Sequence, residues 1–398
     1  METSLVKKLK RNILLDYCNV FITNLNMQSS IWVLYLAFKG MSLAQIGILE
    51  GIYHTTSMLF EIPSGAIADL LGRKKSMIAS NICITVSCLI MLYAGNFWLF
   101  ALSFFFQALG ENFNSGSEEA LVYDSMIAIG DEERYTAVSG KLNIIIEVSQ
   151  GIATVAGGIL AEYSFFWCYA ASLIIALLAF IPVLFMTEAP FEKTLSQEGN
   201  IFQMLGNHFK TSFGILKGDR RIFRIVVFFS ATFAAQTLLF FYGQQYFSDL
   251  GYNKIQISVF MLAFSLSGCL GAFLSDKVFT RFGSRTVIPA AFIIAVAICS
   301  FALENAPVAV IMFSVASFCN SLLYPIQSSM LNALIPSEQR ATLISVNSMF
   351  FSIAMIIIFP ITGAVADVTG LGKALLGVGV LLGTFAACWT LFVYRKDK

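Results

Sequence analysis

Glu147 and Glu111 stand inside long apolar runs, where a carboxylate has few groups to pair with. In a lipid solvent an ionisable side chain at mid-depth costs about 2.5–3.5 kcal/mol, so it is kept there for a cavity or a partner. Glu147 has Gln150 one helical turn on and Lys141 about 1.5 turns before it. It could hold an exchangeable proton, bind a cationic ligand, or serve packing through a hydrogen bond. Glu111, beside Asn112, is the second candidate for the same chemistry. Glu50, His54 and Glu61 fall at i, i+4 and i+11 of one run, which places them on one side of a helix. The Glu50–His54 step is short enough for a hydrogen bond, and imidazole titrates near neutral pH. That pair reads equally well as a proton relay or as gate structure. Asp16, one turn into the first run, is expected to pair with a nearby cation.

Neutral polar residues make a second set. Asn19 and Asn26 lie two turns apart and share a face, and Gln236, Tyr242, Asn320, Tyr324, Gln327 and Asn347 sit in later runs. All are candidates to line a cavity, as is Gln150. The charged candidates thus gather in the first half of the chain and the neutral ones in the second, which suggests coupling chemistry in one half and ligand recognition in the other. Phe104, Phe105, Phe228, Phe240 and Phe241 could form an aromatic pocket or simply face lipid.

The elements that position these residues follow from composition. Of 398 residues, 57% are apolar and 12% charged, and the mean hydropathy is +0.77. A soluble protein carries about twice that charge; this chain has too little polar surface for water and reads as an integral membrane protein. A net charge of +1 excludes a large basic face for nucleic acid. The eight Cys are scattered without a CxxC pair and there are two His, which fits small apolar side chains and no metal site.

A membrane-crossing helix needs about 20 mostly apolar residues. Twelve such runs are present: 13–38, 44–68, 76–94, 97–121, 136–160, 165–186, 222–247, 255–275, 286–303, 307–331, 342–364 and 374–394. The first follows Lys7, Lys8, Lys10 and Arg11 but outlasts a signal sequence and lacks a cleavage site, so it reads as a retained span. Placing both termini in the cytoplasm leaves only Lys39, Lys254 and Lys373 of the 25 basic residues outside, in keeping with the positive-inside rule. The organisation is an N-terminal six-helix bundle (1–186), a cytoplasmic linker (187–221) and a C-terminal six-helix bundle (222–398). In the linker, apolar residues at 201, 204, 205, 209, 213 and 216 have helical spacing and suggest an amphipathic surface helix, with a solvated linker as the alternative.

Six spans, a linker and six more spans invite a search for duplication. Gly65-Ala66 matches Gly271-Ala272, and Glu133-Arg134 matches Gln339-Arg340, both at an offset of 206 residues. Gly158–Glu162 parallels Gly363–Asp367 at one residue less. Agreement of offset across the same spans points to a parallel repeat.

The most specific local pattern joins spans 2 and 3: Gly65, Asp69, Gly72, Arg73, Lys74 and Lys75. Gly65 offers a smooth face to another helix. Asp69 stands at the negative end of its own helix dipole and needs an outside partner, such as a cation or the N-terminus of span 11 near Ala341. Gly72 permits a tight turn. With this pattern, written G-x-x-x-D-x-x-G-R-[RK]-[RK], the chain resembles the major facilitator superfamily over its whole length. The resemblance implies an all-α membrane fold of twelve transmembrane helices, two six-helix bundles related by pseudo-twofold symmetry around a central cavity. It also implies that Gly65, Asp69, Gly72, Arg73 and Lys74 act as a conformational latch. Glu61–Gly65 and Ser115–Leu121 resemble drug-exporter-like branches, yet Phe106 stands where such exporters often carry Arg, and only Gly157-Gly158 survives of their span 5 pattern.

The expected function is secondary active transport by alternating access, with proton-coupled efflux of an amphipathic or cationic small molecule as the leading reading. Proton-coupled import of a nutrient and lipid flipping are the alternatives. Glu147, Glu111, Glu50 and His54 are the proton-coupling candidates. The residues contain no GxxxxGK[ST] loop and no HExxH motif, so no ATP use, cofactor, metal or enzymatic chemistry is expected. The expected partners are a small-molecule substrate and the bilayer of the cell membrane, with the chain monomeric.

Overall fold

The computed structural model describes residues 3–189, 220–334 and 340–394, and is helical throughout apart from turns. Among the described residues, fifteen α-helices are joined by short turns. They are α1 (Thr3–Thr23), α2 (Trp32–Phe38), α3 (Leu43–Leu71), α4 (Arg73–Tyr93), α5 (Phe97–Asn114), α6 (Ser117–Ile129), α7 (Tyr135–Tyr163), α8 (Phe165–Leu178) and α9 (Phe180–Phe185). After the linker come α10 (Arg220–Asp249), α11 (Lys254–Phe282), α12 (Val287–Cys299), α13 (Ala306–Asn332), α14 (Arg340–Thr369) and α15 (Leu371–Tyr394). The amphipathic helix expected over 201–216 lies outside the described residues.

Among the described residues, eight helical stretches are long and apolar enough to cross a membrane. One of them, Lys254–Leu303, holds two of the runs counted in the sequence. Spans 1, 2 and 4 fall short for a visible reason. Span 1 is expected as one run from 13 to 38, but it breaks after Thr23 and resumes at Trp32. Span 4 breaks at Ser115 and Gly116, where Gly116 adopts φ 73°, a left-handed conformation that costs a residue with a Cβ about 1–2 kcal/mol. Span 2 is continuous in α3 but carries Glu50, His54, Glu61 and Asp69. Hydropathy registers apolar length, and neither a break nor a charged seam shows in it.

The chain divides into two compact units, residues 1–29 with 52–206, and residues 30–51 with 207–398. In the first, α1 packs on α6, α7, α8 and α9, and α4 packs on α5 and α8. One apolar cluster gathers Leu9, Met77, Leu121, Val183 and Met186; a second gathers Val20, Val122, Met126, Val138 and Leu142. Lipid is as apolar as Leu, so helix association also needs small residues and interhelical hydrogen bonds. Asn12 supplies both kinds of bond, donating to Ser125 Oγ (2.9 Å) and to the Thr187 carbonyl (2.7 Å) while accepting from Thr187 N–H. Asn81 donates to the Ala179 carbonyl at 3.0 Å, and Ser76 to that of Phe113 at 2.7 Å. A Cβ on Gly157 would collide with the Met27 carbonyl, so that helix approach is closed to any larger residue.

In the second unit α11 and α13 are closely joined. Gly271 meets the Phe318 backbone, and Ser267 and Ser275 donate to the carbonyls of Ser314 and Leu322, each at 2.8 Å. Phe240, Phe264 and Phe313 stack beside Phe247 and Phe301, so much of the Phe content forms core here. Cys83, Cys88, Cys168 and Cys319 are buried as small apolar side chains, whereas Cys18, Cys269 and Cys388 lie exposed on helix faces.

Candidate functional site

The basic turn between α3 and α4 is the most fully built local feature. Gly72 turns the chain at φ 105°. The α4 helix then begins with backbone N–H groups that have no intrahelical acceptor. Glu188 supplies one: its carboxylate accepts from Arg73 N–H (2.7 Å) and Lys74 N–H (3.0 Å). Lys74 Nζ in turn donates to the Leu184 and Met186 carbonyls at 2.8 and 2.7 Å, which ties the turn to the end of α9. Asp69 finds its cation one turn on, at Arg73 Nη1, 2.6 Å away. Asp124 on α6 is within electrostatic reach of the same guanidinium. Among the described residues of this unit no atom comes within 4 Å of a Cβ placed on Gly65. The expected partner near Ala341 falls on side chains outside the described residues.

The acidic candidates on α3, α5 and α7 differ in setting. Glu111 is exposed from its helix yet accepts from Tyr53 Oη and from Gln107 Nε2, the latter at 3.2 Å. Tyr53 stands on α3, so this carboxylate is held across two helices. One residue on, Asn112 exchanges bonds with Ser57, accepting from its hydroxyl at 3.1 Å and donating to its carbonyl at 2.9 Å. Glu147 is also exposed, and Gln150 beside it donates to Asn24 Oδ1 at 3.0 Å. Ionisable groups within spans face water-filled cavities or partners rather than lipid, which fits both carboxylates. Glu50 and His54 are nearly fully buried, and the Tyr53 and His54 rings meet edge-on at 5.2 Å.

Of the neutral candidates, Asn19 is buried and donates to Glu118 Oε2 at 3.0 Å, while Asn26 is exposed. Gln236 and Tyr242 are buried on α10. The Tyr242 hydroxyl sits between the Leu43 and Phe359 carbonyls, at 2.9 and 3.0 Å, and so serves packing. Gln327 on α13 donates to Asn347 Oδ1 on α14 at 2.6 Å, which joins two of the expected residues. Asn320 is partly buried with its Oδ1 unpartnered among the described residues, and Tyr324 is exposed beside Phe233. Sequence reasoning passed over Tyr53, Glu118 and Glu188. Tyr53 lies 58 residues from Glu111 and Glu118 lies 99 from Asn19, so no spacing announces those contacts.

Two units of long apolar helices with charges confined to turns and a few interior positions define a multi-pass membrane protein. The chain belongs to the Major Facilitator Superfamily, whose model matches residues 17–299 and 246–398. The uncharacterized MFS-type transporter YxaM of Bacillus subtilis (strain 168) is 24% identical over 376 residues, covering 93% of this chain and 92% of that protein. The inner membrane transport protein YajR of Escherichia coli (strain K12) is 27% identical over 139 residues, 34% of this chain and 29% of its own. Among solved structures, the nucleoside transporter NupG aligns with a TM-score of 0.73 at 15% identity, covering 98% of this chain and 99% of its own. A D-xylose-proton symporter aligns with a TM-score of 0.70 at 14% identity over 94% and 96%. These likenesses show the fold. The chain is an MFS-type membrane transporter with the twelve-helix, two-bundle architecture that its sequence announced.

Proposed function

We propose that this transporter works by alternating access and couples export of an amphipathic or cationic small molecule to proton entry. One observation carries that reading: interior charge is confined to one half. No charged residue occurs in 225–248, 255–275, 287–303, 307–332 or 341–366, whereas 111–147 places Glu111, Glu118, Glu119, Asp124, Lys141 and Glu147 on α-helices of the first unit. A cationic substrate and a proton can then compete for the same negative charge, which is the chemistry of antiport. Glu111 and Glu147 are the coupling residues of this proposal, with Glu50 and His54 as a relay. The working protein is read as a cofactor-free monomer in the inner or plasma membrane, both termini cytoplasmic.

A second reading, proton-coupled import, is favoured by the neutral polar groups Gln236, Asn320 and the Gln327–Asn347 pair, which suit a hydroxyl-rich nutrient. Proteoliposomes under an imposed pH gradient separate the two. Export predicts that an inside-acid gradient drives accumulation of ethidium, that a protonophore abolishes it, and that the Glu111→Gln/Glu147→Gln pair loses the gradient dependence. Uptake of uridine or xylose driven by an outside-acid gradient, with no response to ethidium, would overturn efflux in favour of import.

A further inference from the structure

We propose that Asp16, Asn19 and Glu118 form a binding site for one monovalent cation, a proton or sodium, in the α1–α6 seam. Asp16 is 1% exposed, and no hydrogen-bond donor or cation among the described residues reaches either of its oxygens. An ionised carboxylate buried unpaired is costly, so the site is neutralised by something the described residues do not supply. Asn19, one turn along α1 and also 1% exposed, leaves its Oδ1 unpartnered while its Nδ2 donates to Glu118 Oε2. Asn114 Nδ2 donates to the same Glu118 oxygen at 3.1 Å. Ser117, adjacent on α6 and buried, also has a hydroxyl without a partner among the described residues.

The two carboxylates are therefore unlike. Glu118 receives two amide donors, which suits an ionised group, and Asp16 receives none. The pair divides into a fixed charge and an exchangeable position, the arrangement by which neighbouring carboxylates take different roles. The titratable groups within electrostatic reach of Asp16 among the described residues are Glu118 and Glu119 from α6, Tyr17 on its own helix and Tyr135 from α7. Arg134, at the start of α7, acts on Tyr17 and makes no ion pair with Asp16. Helices α8 and α9, which also pack on α1, contain no charged residue. Unpaired oxygens with no sulfur or imidazole among them suit a hard ion or a proton. Asp16 is the carboxylate here that no donor reaches among the described residues, so a ligand of single charge is the one proposed.

Binding is read without transport, so this site and the coupling scheme above can fail separately. Purified protein in detergent is melted in sodium chloride against choline chloride at equal ionic strength. In parallel, carboxyl protonation is followed by infrared difference spectroscopy between about pH 5 and pH 9. Sodium binding predicts a higher melting temperature in sodium that Asp16→Asn abolishes. Proton binding predicts no sodium effect and a protonated-carboxyl band that Asp16→Asn removes and Glu147→Gln leaves in place. Should Asp16→Asn not fold, Glu118→Gln and Asp16→Glu are expected to shift the sodium midpoint or the carboxyl titration. The proposal is overturned if neither sodium nor pH produces a response that depends on residue 16 or 118.

Discussion

At the scale of the residue, Glu188 shows how a side chain beyond the apolar runs organises the basic turn. Its carboxylate closes the first turn of α4 by taking two backbone N–H groups, where the helix dipole is also positive. Loss of such a cap costs about 0.5–2 kcal/mol. Glu188→Ala is therefore expected to lower the melting temperature in detergent, with Glu188→Asp recovering part of the loss; equal melting of all three proteins would remove the capping role. The basic cluster and Gly72 were legible from spacing alone, because the turn is local. Glu188 was not, since it reaches the turn from 115 residues away. Asp16 was misjudged for a related reason. A carboxylate near a basic stretch is expected to pair with it, yet Arg11 donates instead to the Phe185 carbonyl at 2.9 Å.

At the scale of the element, the start of α3 is held by a neighbour it meets only in space. Leu43 and Ala44 N–H donate to the two oxygens of Asp367, at 2.8 and 3.0 Å, and Ser42 and Gln45 close a reciprocal box over the same turn. Gly47 allows the approach, because a Cβ there would lie 2.6 Å from Pro360 Cα. The repeat search aligned Gly363–Asp367 with Gly158–Glu162 but gave the carboxylate no role, since duplication reports ancestry and not contact. Removing the cap should cost about 0.5–2 kcal/mol locally. Asp367→Ala is expected to speed hydrogen exchange at amides 43–46 while α12 and α13 keep their protection, and Asp367→Asn should fall between. Unchanged exchange at those amides would show that the Ser42–Gln45 box suffices. The same lesson covers spans 1 and 4: hydropathy finds an apolar stretch, whereas a break such as Ser115–Gly116 is fixed by backbone conformation and packing.

At the scale of the whole molecule, the 12% of charged residues fixes more than solvent. Basic residues resist translocation, so their positions encode which ends of the helices stay inside. If both termini are inside, as proposed, the turns at Lys39, between α2 and α3, and around Gly251, between α10 and α11, face outward. Reporter fusions read this directly. Alkaline phosphatase needs disulfides that form outside the cytoplasm, so inserted after Gly40 or Gly251 it should be active, and green fluorescent protein after Lys398 should fluoresce. Phosphatase placed between α3 and α4, after Gly72, should be silent. An active fusion at Gly72 paired with a silent one at Gly40 would invert helix α3. A reversal confined to Gly251 would break the parallel repeat, because two copies of a six-span unit joined on one side must share an orientation.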